Sequence, residues 1–249
     1  MRPLFSRLLA AILFNELIML DRLEDSFQRE RQFTSDASHE LRTPLAVISA
    51  CAEDALGRKA TDCCESLMTI REEAERMTKI ISQLLMLSRG YEGRLHLDPE
   101  QIALRDMLDS VCDELKDSAS EKQIRMHNGV TGGAFITADQ SLITQLMINL
   151  IGNAIKYGRR GGNVWLDAAV RDDGTHITVA DDGIGVSDED LPRIFERFYR
   201  ADSARDRSGF GLGLSIAKWI VEMHRGAINV QSSLGHGTTF EVVLPPDVK

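Results

Sequence analysis

The chain has 249 residues, of which 43% are hydrophobic and 27% charged, and a formal net charge of −9 at pH 7. These fractions exclude a disordered chain, and the length suits one large or two modest domains. The acidic balance argues against sequence-independent binding to nucleic acid. The four cysteines (Cys51, Cys63, Cys64, Cys112) lack zinc-ligand spacing and read as reduced thiols.

The chain opens on an apolar run, Leu8 to Phe14, with Arg7 before it and Asn15 and Glu16 after it. A spanning helix needs about 20 mostly apolar residues, so this run is too short to cross a membrane. Residues 1–16 are read as an amphipathic extension or a truncation remnant. A helix is expected over 17–56. Leu20, Phe27, Thr34, Leu41, Ile48 and Ala55 recur every seven residues along it, which suits a coiled-coil seam. His39 falls on the face away from that seam. His39 and Thr43, four apart, share a face, and Glu40 adjoins the ring. Pro44 cannot donate to the carbonyl of Glu40, so a bend is expected there.

Gly57 to Asp62 reads as a turn, with Thr61 or Asp62 capping a second helix over 63–89. Leu67, Ala74, Ile81 and Ser88 form one heptad series of that helix, and Ile70, Met77, Leu84 and Tyr91 the other. One hairpin buries too little of such a stripe, whereas two make a four-helix bundle. A homodimer is therefore expected over 17–90; the alternative is a monomer whose hairpin packs on its own second domain.

A linker is expected over 91–96, followed by a domain over 97–249. Strands are expected at 95–97, 124–126, 135–137, 164–170, 176–180, 226–230 and 238–244, and helices at 103–118, 139–157 and 212–224. This pattern describes an α/β sandwich with helices on one face of a mixed sheet.

Four stretches of this domain carry chemistry. On the helix at 139–157, Asn149 and Asn153 share a face that Lys156 and Tyr157 extend. Amide oxygens suit Mg²⁺ and an ammonium suits phosphate, although buried amides bonded to backbone fit the same pattern. In Asp181-Asp182-Gly183-Ile184-Gly185, a carboxylate at a strand end can accept the amino group of adenine, and Gly183 and Gly185 allow close backbone approach. Ile194 to Arg200 has aromatics placed to anchor a lid, or simply to pack. Gly209-Phe210-Gly211-Leu212-Gly213 opens a helix whose exposed N–H groups attract phosphate. Thr238, in Gly235-His236-Gly237-Thr238-Thr239, either touches the nucleotide or shapes a turn.

Ser38-His39-Glu40-Leu41-Arg42-Thr43-Pro44-Leu45 resembles the phosphoacceptor box of bacterial sensor histidine kinases. The resemblance extends from about Leu20 to the C-terminus, and the four later stretches are similar to that family's nucleotide boxes in the same order. Asparagine often stands in the family where this chain has Asp182. The resemblance implies a dimeric four-helix bundle followed by an ATP-binding domain of the histidine kinase, gyrase and Hsp90 type. It implies ATP and Mg²⁺ as cofactors, with Asn153 and then Asn149 as metal ligands. Tyr199 and Arg200 are expected near the phosphates, with Gly209, Gly211, Leu212 and Gly213. The implied activity is autophosphorylation of His39, with Glu40 assisting, and transfer to an aspartate of a response regulator receiver domain. Thr43 is expected to orient water for phosphatase activity toward that regulator. The implied setting is the cytoplasmic portion of an inner-membrane sensor kinase, reaching the membrane only through segments upstream of this chain. Two rivals are a clamp-type ATPase of the same nucleotide fold and a catalytically decayed scaffold. The histidine box opposes the first, and intact His39, Glu40, Asn153 and Asp181 oppose the second.

Overall fold

The structure, a computed structural model, describes residues 35, 37–56, 63–91, 96–201 and 210–246. It divides into two compact units, 1–81 and 82–249. The 57–62 turn, the upstream helix to residue 34 and the 1–16 extension lie outside the described residues.

The first unit is a helical hairpin. Helix α1 covers 37–56 and stays helical through Pro44, which is buried. Its seam residues Leu41, Ile48 and Ala55 are half-buried, and His39 is exposed on the other side, as the periodicity requires. Helix α2 runs Cys64–Tyr91. Two cross-hairpin bonds join the helices near the turn: Ser66 Oγ donates to Asp54 Oδ2 at 2.9 Å, and Cys63 Sγ to the Ala55 carbonyl at 3.3 Å. Among the described residues of α2, Ser66 and Ile80 are buried, as is Leu87 beyond the unit boundary, while Leu67 and Ile81, 58% and 44% exposed, point outward from the single hairpin. Ile70, Met77 and Leu84 are half-buried.

The second unit is α/β. Strand β1 (Pro99–Ala103) leads into helices α3 (Leu104–Glu114) and α4 (Lys116–Glu121), then strands β2 (Arg125–Asn128) and β3 (Phe135–Asp139). Helix α5 (Gln140–Tyr157), strands β4 (Asn163–Arg171) and β5 (Gly174–Asp181), helix α6 (Gly213–Met223) and strands β6 (Ala227–Ser233) and β7 (Gly237–Leu244) complete it. The strand expected at 95–97 is displaced: His96 to Asp98 are irregular and β1 begins at Pro99. The helix expected over 103–118 breaks at Leu115 into α3 and α4.

Five strands form one sheet in the order β2-β4-β5-β7-β6, with β2 and β4 parallel and the remaining pairs antiparallel. β1 and β3 pair separately as an antiparallel ribbon. Alternation gives the sheet two unlike faces. Val164 and Leu166, Ile177 and Val179, and Phe240 and Val242 are buried. Trp165, Asp167, Asn229 and Gln231 are exposed. Helix α5 fills the interior with Leu142, Ile143, Leu146, Met147, Leu150 and Ile151, which explains why its sequence is apolar on more than one face. The side chain of Asp139 caps α5 by accepting from Leu142 N–H at 3.1 Å. The fully buried His224 ties the end of α6 to that cap: Nδ1 donates to the Ile220 carbonyl at 2.8 Å and Nε2 accepts from Asp139 N–H at 3.2 Å.

Candidate functional site

Five segments of the second unit converge on a pocket of about 670 Å³ including the open space at its mouth. Helix α5 contributes Asn153, Ala154 and Tyr157, and the segment after β5 contributes Asp181, Ile184, Gly185 and Val186. Ile194, Tyr199, Arg200 and Ala201 line another wall, and Leu214 of α6 with Thr238 and Phe240 of β7 complete it.

Asp181 is the only carboxylate among these lining residues. It ends β5 opposite Thr238 of β7. Its Oδ1 accepts from Gly183 N–H at 2.8 Å, and Thr238 N–H also bonds its side chain. Burial pushes the Asp181 carboxyl above its ordinary range, and those two N–H bonds only partly oppose it. The loop after it is tied to α5 through Ile184 N–H and the Tyr157 carbonyl at 3.1 Å, and to the β6–β7 turn through Gly235 N–H and the Ile184 carbonyl at 2.7 Å. A planar group between these apolar walls, offering an N–H to Asp181, fits the chemistry of the lining.

The opposite wall hangs on one strained junction. Phe198 has φ +59°, uncommon for a bulky residue, and its N–H bonds the carbonyl of Gly211, itself at φ +69°. A side chain at Gly211 would lie 2.6 Å from the Phe198 carbonyl carbon, so only glycine fits. This bond joins the two borders of the 202–209 segment. Tyr199 is held by its hydroxyl, which donates to Asp190 Oδ1 at 2.5 Å, while the Arg193 guanidinium lies 4.2 Å from its ring centre.

The amides of α5 differ in setting. Asn153 lines the pocket. Asn149 does not. Its Oδ1 accepts from Gln145 Nε2 at 3.3 Å, and its Nδ2 is buried without a hydrogen-bond partner among the described residues. An amide turned about its last bond exchanges O and N, which would place an oxygen at that orphaned position. Two amide oxygens on adjacent turns fit a hard cation that keeps waters and phosphate ligands. Among the described residues no group of three or more His, Cys, Asp or Glu could hold a metal by itself, so a cation here would depend on a bound phosphate.

On the hairpin, His39 and Thr43 are both exposed and lie one helical turn apart on α1, and Glu40 is half-buried.

Two family models match. The His Kinase A (phospho-acceptor) domain covers residues 29–93, and the Histidine kinase-, DNA gyrase B-, and HSP90-like ATPase covers residues 138–248. Sensor histidine kinase RppB of Synechocystis sp. is 35% identical over 226 residues, which is 88% of this chain and 50% of RppB. The chain belongs to the sensor histidine kinases. It spans about half the length of the curated relatives it matches. The solved structure of full-length ShkA in complex with AMPPNP superposes with a TM-score of 0.67 at 27% identity, over 88% of this chain and 46% of that one. ThkA, solved in complex with the response regulator protein TrrA, shares the fold with a TM-score of 0.68 at 21% identity, over 87% and 61% of the two chains.

The structure of this histidine kinase brings most of the motif residues to one place. Asn153, Tyr157, Asp181, Gly185, Tyr199, Arg200 and Thr238 all line the pocket. Gly183 stands behind it as a donor to Asp181. Gly211 shapes the strained junction, buried Leu212 precedes α6, and Gly213 is its first residue, against which the Asn149 side chain lies. Gly209 lies outside the described residues. Lys156 departs from expectation: it lines a separate groove with Lys122 and Gly152, and its ammonium sits 4.8 Å from the Tyr157 ring centre. Its position on α5 is about 100° round the helix from Tyr157 and about 60° from Asn153 on the other side. The motifs did not flag the apolar walls Ile184, Val186, Ile194 and Phe240, or Asp190 behind Tyr199. Alternation along β7 was a usable signal for Phe240, two residues after Thr238; Asp190 had none.

Proposed function

We propose that this chain transfers the γ-phosphoryl group of ATP to His39 and passes it from there to an aspartate of a response regulator. The observation that carries the reading is Asp181, a half-buried carboxylate and the only one among the residues lining the pocket, in the same chain as an exposed histidine followed by glutamate. Asp181 accepts the amino group of adenine, and Ile184, Val186 and Phe240 enclose the ring. Tyr199, Arg200 and the start of α6 face the phosphates, with the N–H groups of Gly209, Gly211, Leu212 and Gly213 available to them.

Glu40 accepts a hydrogen bond from one ring N–H of His39 and leaves the other nitrogen's lone pair for attack. A P–N bond forms as the bond between the γ-phosphorus and the bridging oxygen breaks; ADP leaves and the ring loses its proton. Asn153, with Asn149 beside it, would hold Mg²⁺, which offsets charge on the phosphoryl oxygens. Lys156 adds positive charge at the margin. Thr43 serves the reverse task, orienting water against the phosphorylated regulator.

Two hairpins, each from residues 17–90, form a four-helix bundle. The exposed apolar side chains Leu67, Met68, Ile81 and Leu85 support this, being a stripe that a second hairpin would cover. Among the described residues no helix is long and apolar enough to cross a membrane. We place this part of the protein in the cytoplasm, below an inner-membrane sensor.

The test is incubation with γ-labelled ATP and Mg²⁺ beside a His39→Ala variant. Acid-labile label on the parent alone, in a species sedimenting as a dimer, is the expected result. Equal label on the variant would remove His39 as acceptor, and sedimentation at one chain's mass would remove the bundle.

A further inference from the structure

The loop that carries Asp181 is tied down by a residue outside every motif. Asn163, the first residue of β4, engages both carboxylate oxygens of Asp182: its N–H donates to Oδ1 at 2.9 Å and its Nδ2 to Oδ2 at 3.0 Å. Asp182 N–H reaches back to the Asn163 carbonyl at 3.4 Å. The amide of Asn163 is oriented from its other side, where Oδ1 meets His127 Nε2 at 3.0 Å. Gly162 leaves the room this pairing needs, since a side chain there would lie 2.5 Å from Asp182 Oδ1. Burial would raise the Asp182 carboxyl, but the Asn163 bonds outweigh it, aided by the charge of Arg159, and hold it below its ordinary range. Arg159 also donates to the Gly235 carbonyl, and Gly235 N–H holds the Ile184 carbonyl. The 159–163 turn therefore grips the 181–185 loop at its second residue directly and at its fourth through Gly235. Neither Asn163 nor Asp182 lines the pocket.

We propose that Asn163 and Asp182 form a positioning clamp that holds Asp181 for the adenine amino group, so that preference for ATP over GTP depends on a pair that never touches the nucleotide. This rests on reading Asp181 as the adenine acceptor. Guanine presents a carbonyl where adenine presents an amino group. A fixed carboxylate rewards the donor and repels the acceptor, and a carboxylate free to swing does neither well. Asp181 is the last residue of β5 and its carboxylate accepts from Gly183 N–H, so Asp182, lying between the two, sets where that N–H stands and thereby the carboxylate it holds.

The experiment is calorimetric titration of the full chain with ATP and with GTP, both with Mg²⁺, paired with thermal unfolding of each variant. Asp182→Ala should raise the Kd for ATP about ten-fold and leave that for GTP unchanged. Asn163→Ala should do less, because the backbone N–H of residue 163 still reaches Asp182, and the double variant should be no worse than Asp182→Ala. Asp182→Asn should rescue ATP binding to within about two-fold, since an amide of the same shape can pair with Asn163 once both turn. Asn163→Asp keeps the volume and sets two carboxylates face to face; it should narrow ATP-over-GTP selectivity even where Asp182→Ala fails to fold. Unchanged selectivity in Asn163→Asp and Asp182→Ala, or equal loss of both nucleotides in step with Tm, overturns the clamp if Asp181→Asn has lost ATP. If Asp181→Asn binds ATP like the parent, the reading of Asp181 fails and the clamp with it.

Discussion

At the scale of single residues, the chemistry follows from what each side chain can donate or accept. Thr43 lies one turn from His39 and is exposed with it. On the function proposed above its hydroxyl orients water there, and it is not among the residues lining the nucleotide pocket. Thr43→Ala should therefore cut phosphatase activity about ten-fold or more and leave autophosphorylation near the parent rate; parallel assays of both activities check this, and equal loss of the two would refute it. The motif Asp-x-Gly-x-Gly is shared by many turns, so Asp181 was singled out by its place among four motifs in order, and the structure sets it in the pocket lining. Asp190 was not singled out: it holds Tyr199 from nine residues away across an irregular segment, and neither periodicity nor motif spacing reports such a bond.

At the scale of elements, the helices and strands were mostly legible because their periods differ, 3.6 against 2. The misplaced pieces show where that signal fails. The strand expected at 95–97 rested on two leucines flanking a histidine, too short a run to carry a register, and the pairing partner that decides the matter, β3, places the strand at Pro99–Ala103. The helix expected over 103–118 breaks at Leu115, where neither proline nor glycine marks a break in the sequence. The junction between Phe198 and Gly211 is the element on which the wall of Tyr199 and Arg200 depends. Gly211→Ala would force a Cβ into the backbone of Phe198 and Tyr199 at φ +69° and should destabilise the α/β unit by roughly 1–3 kcal/mol. Urea unfolding of the full chain measures it, and a change within error would show that the junction adapts freely.

At the scale of the whole molecule, charge pairs join strands that are distant in sequence. His176, buried on β5, donates to Glu241 of β7 through Nδ1 and to Asp173 of the β4–β5 turn through Nε2, each at 3.0 Å, with Arg171 beside it. The bonds to Glu241 first and Asp173 second raise the imidazole above its ordinary value, and the bond from His176 lowers both carboxyls. A raised histidine stabilises fully below its unfolded value of about 6.5 and loses that contribution as pH rises through the folded value. The lowered carboxyls stabilise above their unfolded values and lose it as pH falls through the folded ones. The Tm gap between the parent and His176→Gln should thus be widest between the ordinary carboxylate range and about pH 6.5, closing on both sides. Thermal unfolding across pH 4–9 tests it, and a gap that widens toward alkaline pH would refute it.

By itself the sequence determined the period of most elements and the residues that make up each motif, because residue type and spacing along the chain are local properties. Only the tertiary structure decided which groups share the pocket. It set Lys156 in a neighbouring groove, left an orphaned amide at Asn149, tied Tyr199 to Asp190 and put Asn163 behind Asp182. Those relations depend on strand order and helix rotation. Both are set by burying apolar surface across the whole fold, which no window of the chain contains.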